Sequence, residues 1–164
     1  MVEPGLSWGP NDTIGLPSST MNWYQVDFAV IQAYDNVTGL LTLDRPLGHY
    51  HYGKSVSTGG DYSGIDMRNE VQLLSRNVII AGNDTDAWGC QVVTSDFTEG
   101  NGEERLGRTF LSNVEIYNCS QYDTHKAALR FEGASGAYSF VLNSTVHHGL
   151  GIGMEVNDCE NIFI

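Results

Sequence analysis

A chain of 164 residues that is 41% hydrophobic and only 17% charged has the composition of a folded domain and is too apolar for a disordered segment. Its 20 acidic and 8 basic residues leave a formal charge of −12, which argues against nucleic acid, whose phosphates need clustered Lys and Arg, and against adsorption on an anionic membrane. No apolar run reaches the roughly 18 residues that a membrane-spanning helix needs.

Residues 1–53 read as a small all-β unit. Trp8-Gly9-Pro10-Asn11-Asp12 is a turn, Ile14 to Leu16 a short strand, and Gln25 to Tyr34 a longer one whose clearest alternation is Val26, Phe28 and Val30. Asp35-Asn36-Val37-Thr38-Gly39 turns the chain into Leu40-Leu41-Thr42-Leu43. Beyond Pro46 comes an aromatic and imidazole-rich loop, 47–53, in which His49 and His51 share one face and offer a metal or sugar contact; packing between β units is the plainer reading. Residues 54–65, rich in Ser, Thr and Gly, read as a mobile connection. A strand is expected within 75–83 and another at Gln91-Val92-Val93, followed by the acidic loop 99–104. That loop reads as a solvated turn. Calcium is the only cation it offers, and its oxygens lack the regular spacing of a calcium loop.

From Arg108 short β-branched and aromatic segments recur, separated by Gly, Asn, Ser and Asp. Leu129 set against Gly153 gives a displacement of 24, Ser139 against Asn161 one of 22, and Val114 against Thr145 one of 31. Such repeats predict coils of a parallel β-helix, each burying its apolar side chains only by stacking on the next. An ordinary β-sandwich is the alternative. Asn77, Asn113, Asn143 and Asn161 each precede a strand, where stacked Asn side chains can satisfy backbone groups at coil turns.

Five Asn-X-Ser/Thr sequons, at Asn11, Asn36, Asn83, Asn118 and Asn143, point to an extracellular or cell-surface glycoprotein, with Asn11, Asn36 and Asn83 in the better-exposed turns. No signal peptide is visible and the apolar end Ile162-Phe163-Ile164 has no cap, so a fragment of a longer polypeptide is expected. Cys90, Cys119 and Cys159 are disulfide candidates; none has metal-ligand spacing, and one disulfide with one thiol is as good a reading as three thiols.

Three stretches carry a family resemblance. Trp8 to Ile14 with Leu41 to Gly53, Asp66-Met67-Arg68-Asn69-Glu70-Val71-Gln72-Leu73-Leu74-Ser75-Arg76-Asn77-Val78, and 111–121 with Ser144-Thr145-Val146-His147-His148 together resemble the shared ectodomain of the fibrocystin, fibrocystin-L and hyaluronan-depolymerising cell-surface protein group. The resemblance implies that 1–53 is the end of a glycine-rich β domain. It also implies that 54–164 opens a right-handed parallel β-helix of the pectin-lyase type that continues further. Hyaluronan-degrading members carry a histidine-rich, proline-containing strand where this chain reads His125-Lys126-Ala127-Ala128-Leu129-Arg130-Phe131-Glu132. Here the alternating histidines are absent, which favours the fibrocystin-like members, for which no catalytic activity is implied.

The chemistry to weigh against that is glycan cleavage, which needs an acid and base or paired carboxylates about 5 or about 6.5–9.5 Å apart. Glu132 and Glu155 fall at nearly equivalent places in successive coils, and His125 and His147 are the nearby imidazoles. The 24-residue displacement, however, sets Glu155 against Phe131 and beside Arg130. It favours a solvent-facing ladder in which Arg130 neutralises Glu155, with the two carboxylates on opposite faces. The reading is therefore an all-β, non-enzymatic structural and recognition segment of a large glycosylated cell-surface or matrix protein. Its partners are extracellular proteins or glycans, and it has no cofactor or metal. The alternatives are a glycan-depolymerising enzyme and a self-assembling subunit of an extracellular filament.

Overall fold

The structure, a computed structural model, describes residues 1–54, 66–83 and 85–164; the connection expected at 54–65 falls almost wholly outside the described residues. The described chain is all-β and holds no helix. It divides into two compact units, 1–75 and 76–164.

The first unit is a four-stranded antiparallel sheet in the order β3-β2-β1-β4, from β1 (Thr13–Leu16), β2 (Asp27–Asp35), β3 (Leu40–Leu43) and β4 (Gln72–Leu73). Asp35 shapes the hairpin between β2 and β3. Its carboxylate accepts from Val37 N at 2.9 Å and from Thr38 Oγ1 at 2.7 Å, and Gly39 closes the turn at φ +72°. Ile14, Leu16, Ala29 and Ile31 form the core, with Trp8, Tyr34, Leu41, Leu43, Val71 and Leu73 against it. The alternation in β2 thus has the opposite phase to the one expected: Ala29 and Ile31 point inward, and Phe28 is 40% exposed. Both faces of β2 are apolar, so polarity could not choose between them. Pairing did, by setting Ala29 opposite the buried Ile14. β4 and Ser75 belong to this unit, with Gln72 and Leu73 in register on Gly15 and Ile14 and Ser75 Oγ accepting from Thr13 N at 2.6 Å.

The second unit contains β5 (Val78–Ala81), β6 (Val92–Thr94), a hairpin of β7 (Phe97–Thr98) and β8 (Glu104–Arg105), then β9 (Phe110–Ser112), β10 (Val114–Tyr117), β11 (Leu129–Glu132), β12 (Ser139–Leu142), β13 (Thr145–His147), β14 (Met154–Asn157) and β15 (Ile162–Phe163). Three parallel three-stranded sheets result: β5-β10-β13, β6-β11-β14 and β9-β12-β15. The chain visits them in a fixed cycle, so each of three passes adds one strand to every sheet. Alternation decides what faces in: Val114 and Ile116 of β10, Leu129 and Phe131 of β11 and Val141 of β12 are buried, and Ile80, Val92, Leu111, Val146, Met154 and Ile162 pack on them from the neighbouring passes.

Passes turn corners at matching residues in the left-handed region. Asn113 and Asn143 (φ 56° and 47°) precede β10 and β13, and Asn118 and His148 (55° and 50°) follow them. Gly133 and Asp158 (62° and 50°) follow β11 and β14. Asn and Asp tolerate this conformation better than other residues with a Cβ. Register puts Asn77, Asn113 and Asn143 at one corner, whereas Asn161 stands at another, its carbonyl accepting from Ser139 N. Cys90 and Cys119 are bonded across neighbouring passes, and Cys159 is a half-buried thiol. Beside the disulfide Gly89 is packed so closely that a Cβ there would collide with Asn118 O and Cys119 Cα.

The true registers are all one residue off the sequence repeats. Leu129 pairs with Met154, Ser139 with Ile162, and Glu115 with Thr145, because corners between passes differ in length and the repeat comparison matched residue types instead of backbone partners. In a strand a slip of one exchanges the two faces.

Candidate functional site

That slip decides what the two candidate carboxylates do. Arg130 pairs in register with Glu155, and Glu132 with Asn157. Leu129 and Phe131 face inward, so Arg130, Glu132 and Glu155 all lie on the outward face, which corrects the opposite-face arrangement expected for the two glutamates. They do not form a bare pair. Arg130 stands between them, with Nη2 2.6 Å from Glu132 Oε2 and Nε 3.5 Å from Glu155 Oε2. The guanidinium is four-fifths buried, and its Nε and Glu155 Oε2 have each other as ion-pair partners. His125 lies in the exposed turn ahead of β11.

His147 joins a different cluster, on the outward face of β10 and β13. Its Nε2 is 3.1 Å from Glu115 Oε1, its Nδ1 2.7 Å from His148 Nδ1, and the Tyr117 ring meets both imidazoles at 5.4 Å. Glu115 Oε2 also accepts from Arg76 N at 3.3 Å. Nε2–H on His147 suits the carboxylate and leaves Nδ1 to accept from His148. Burial pushes His147 below the usual imidazole range; Glu115 pulls it back up and His148 opposes that. His147 is therefore held neutral, a structural imidazole of the ladder with Glu115 as its partner.

The first unit holds a second carboxylate–imidazole pair, at the loop the sequence singled out. Asp27, at the start of β2, accepts from His51 Nε2 at 2.8 Å, from His49 N at 2.9 Å and from Gly48 N at 3.1 Å, with His49 Nδ1 3.4 Å away. Burial alone would raise the Asp27 carboxyl. The bonds from His51 and from the His49 and Gly48 backbone outweigh it and hold the group at about 2. In the tautomer that gives Nε2–H to Asp27, His51 Nδ1 accepts from Asn69 Nδ2, which also donates to Pro17 O at 2.7 Å. Both imidazoles are thus committed to Asp27, and the pair closes the loop around it. Among the described residues no group of three or more His, Cys, Asp or Glu side chains has the geometry to hold a metal ion. The acidic loop 99–104 is the tip of the β7–β8 hairpin, where Arg105 bridges Glu99 and Glu103 at 2.6 and 3.0 Å.

Asp96, which the sequence reading missed, anchors that hairpin. One carboxylate accepts three backbone N–H groups, Gly107 at 2.8 Å, Gly136 at 2.9 Å and Ser135 at 3.1 Å, and those bonds hold it below the usual carboxylate range. No local signal marks it, because its partners lie up to 40 residues away.

Of the sequon asparagines, Asn11, Asn36, Asn83 and Asn143 are exposed. Asn118 is half buried, donating to Gly82 O at 3.3 Å, and its sequon partner Ser120 is 1% exposed and accepts from Gly151 N.

No family model matches the chain. Mouse fibrocystin (Mus musculus) is 30% identical over 165 residues, covering all of this chain and 4% of that protein. Human fibrocystin-L (Homo sapiens) is 26% identical over 121 residues, 71% of this chain and 3% of that protein. The mouse cell migration-inducing and hyaluronan-binding protein is 24% identical over 183 residues, all of this chain and 13% of that protein. The chain thus spans a small fraction of the length of the curated relatives it matches, and the similarities support a fibrocystin-like relationship.

Proposed function

We propose that the chain is a non-enzymatic structural and recognition segment of a large, glycosylated, fibrocystin-like protein of the cell surface or extracellular matrix. Its second unit is read as the opening passes of a right-handed parallel β-helix of the pectin-lyase type. The observation that carries this reading is the cyclic order of the three parallel sheets, with left-handed corner residues recurring at equal register. Continuous ladders over a shared apolar core make such a body stiff, which suits a spacer. The first unit, 1–75, is read as part of a glycine-rich β domain. Exposed turns at Asn11, Asn36 and Asn83 supply the N-glycan sites; at Asn118 the buried Ser120 favours a corner role instead. No resident metal or cofactor forms part of the reading, and its partners are extracellular proteins or glycans.

The competing reading is glycan depolymerisation. One relative is named as hyaluronan-binding, and Glu132 and Glu155 do share an outward face. Arg130 between them favours the ladder. The test is a chain-length assay on hyaluronan and on pectin-type polymers, with and without calcium, using folded and glycosylated secreted protein. Unchanged polymer length is expected. Shortening that disappears in Glu132→Gln or His125→Ala would overturn the scaffold reading.

A further inference from the structure

Three exposed large side chains of the first unit fall in one loop. Met21 is fully exposed, and Trp23 and Tyr24 are each 73% exposed, in the connection 17–26 between β1 and β2. An aromatic left in water forgoes much of the roughly 2–3 kcal/mol its burial would contribute, so a chain that displays two in sequence gives up stability there.

The loop is not a loose one. Gln25 Oε1 accepts from Thr20 Oγ1 at 2.7 Å, Thr20 Oγ1 accepts from Asn22 N at 3.1 Å, Asn22 Oδ1 accepts from Tyr24 N at 3.1 Å, and Ser18 Oγ accepts from Thr20 N at 3.0 Å. The loop 48–52 is tied along it: Ser19 Oγ accepts from Tyr52 N, and Asp27 accepts from Gly48 N and His49 N. Tyr50, 68% exposed, sits in that second loop. The Trp23 and Tyr24 rings are fixed against each other, 4.3 Å between centroids and tilted by 37°. The two aromatics are therefore presented by an ordered backbone, which lowers the entropy cost of binding.

Charge selects the occupant. Residues 13–26 hold no Asp, Glu, Lys, Arg or His, in a chain that carries −12 overall. A polyanion would meet an acidic protein, and an anionic membrane would meet no Lys or Arg to hold it. What the segment offers is aromatic rings edged by the Asn22 and Gln25 amides, whose oxygens are used within the loop and whose NH2 groups are left as donors. The matching ligand has apolar C–H faces ringed by hydroxyl acceptors and carries no charge. The axial C–H bonds of a β-gluco-configured pyranose present a positive edge to the negative face of an aromatic ring.

We infer that Trp23 and Tyr24, with Asn22 and Gln25 beside them, form a binding site for an uncharged β-linked pyranose oligosaccharide. The inference stands apart from the scaffold reading, since every residue it uses lies in the first unit. The test is ligand-observed saturation-transfer NMR of the 164-residue chain with N,N′,N″-triacetylchitotriose and with cellotriose. Far-UV circular dichroism confirms the fold of each variant, and neutral phosphatidylcholine vesicles serve as a comparison. Transfer concentrated on H1, H3 and H5 is expected, weakened about tenfold or more in Trp23→Ala and less in Tyr24→Ala, and unchanged in Trp88→Ala. The inference fails if neither sugar shows transfer at about 10 mM, where even millimolar affinity would register. It also fails if Trp23→Ala, folded, binds undiminished, or if the loop engages the vesicles and not the sugars.

Discussion

Each unit contains a close carboxylate–imidazole pair at similar separation, 2.8 Å for Asp27 and His51 and 3.1 Å for Glu115 and His147. The electrostatic outcome is opposite. In the first unit the carboxylate is driven down, because two backbone N–H groups join His51 in stabilising its charge. In the second the imidazole is driven down, because burial and the adjoining His148 outweigh what Glu115 restores. What sets the shifts of Asp27 and His147 is therefore the remaining coordination of each, since the carboxylate–imidazole contact is nearly the same in the two. The two pairs also hold different things. Asp27 closes a loop between residues 21 and 24 positions apart in sequence, whereas Glu115 and His147 decorate a ladder already held by backbone bonds.

The largest way to separate the two units is to cut the covalent tie of one. Cys119→Ser removes the Cys90–Cys119 bond, which closes a loop of sequence separation 29, and is expected to cost about 3–4 kcal/mol on the chain-entropy estimate. Denaturant unfolding followed at Trp88, in the second unit, should shift to lower midpoint while the signal of Trp8 in the first stays in place. Equal shifts at both would mean that the units unfold as one. Next comes Asp27→Asn, which keeps the shape and removes the charge that His51, His49 and Gly48 address. A loss of about 2 kcal/mol is expected, this time at Trp8, and a neutral result would mean that the loop is held by other bonds.

Strands β1 to β3 of the first unit and the stacking of passes were legible because both are written in local patterns, a Gly-ended hairpin at 35–39 and apolar residues at alternate positions of 114–117 and 129–132, whereas β4, beyond the expected bound of 53, was not read as part of that unit. Register was not legible. Every repeat displacement was one residue short or long, because corner length varies between passes while side-chain alternation has a period of two. For the same reason the partnership of Arg130 with Glu155 was readable as an alternative, and their shared outward face with Glu132 was not. The phase of β2 was hidden by its two apolar faces. Asp96 was invisible as a site, since its partners are backbone N–H groups that any residue supplies, and Asp27 gave no local sign of its partners, which lie 21 to 24 residues away. The aromatic loop 47–53 was noticed for its histidines, yet those turn toward Asp27, and Trp23 and Tyr24 on the neighbouring loop hold the exposed surface.

Acid titration sharpens the contrast in pH. His147 is depressed from 6.5 in the folded chain, so the unfolded state takes up its proton first. Its contribution is present above pH 6.5 and is lost as pH falls through the folded value. Asp27 is depressed from 3.8 to about 2; its contribution, about 1 kcal/mol once solvent screening is allowed for, is present above pH 4 and lost between there and pH 2. Stability should therefore fall in two windows, the second unit's first. Histidine Cε1 and Asp27 carboxyl shifts followed by NMR check the order, and Asp27→Asn should shrink the lower window, to which Asp96 and Asp66 also contribute, and leave the upper one unchanged.

The smallest effect discriminates between the two uses of the outward face. If Arg130 bridges a ladder, removing either carboxylate weakens the chain. Glu155→Gln should cost more, about 1 kcal/mol, than the half-exposed Glu132, about 0.3 kcal/mol. Glu155 is the ion-pair partner of Arg130 Nε, a buried atom with no hydrogen-bond partner, so its loss strands a cation, while Arg130 Nη2 on the Glu132 side is nearer water. Two carboxylates poised for glycan cleavage would behave otherwise: they repel each other, and neutralising either would stabilise the fold. Thermal midpoints of the two variants and of Arg130→Gln decide it. A rise on Glu155→Gln would sink the ladder. A fall there, with a smaller fall on Glu132→Gln and the greatest on Arg130→Gln, which leaves two like charges facing each other, means that the face is held together by its ion pairs.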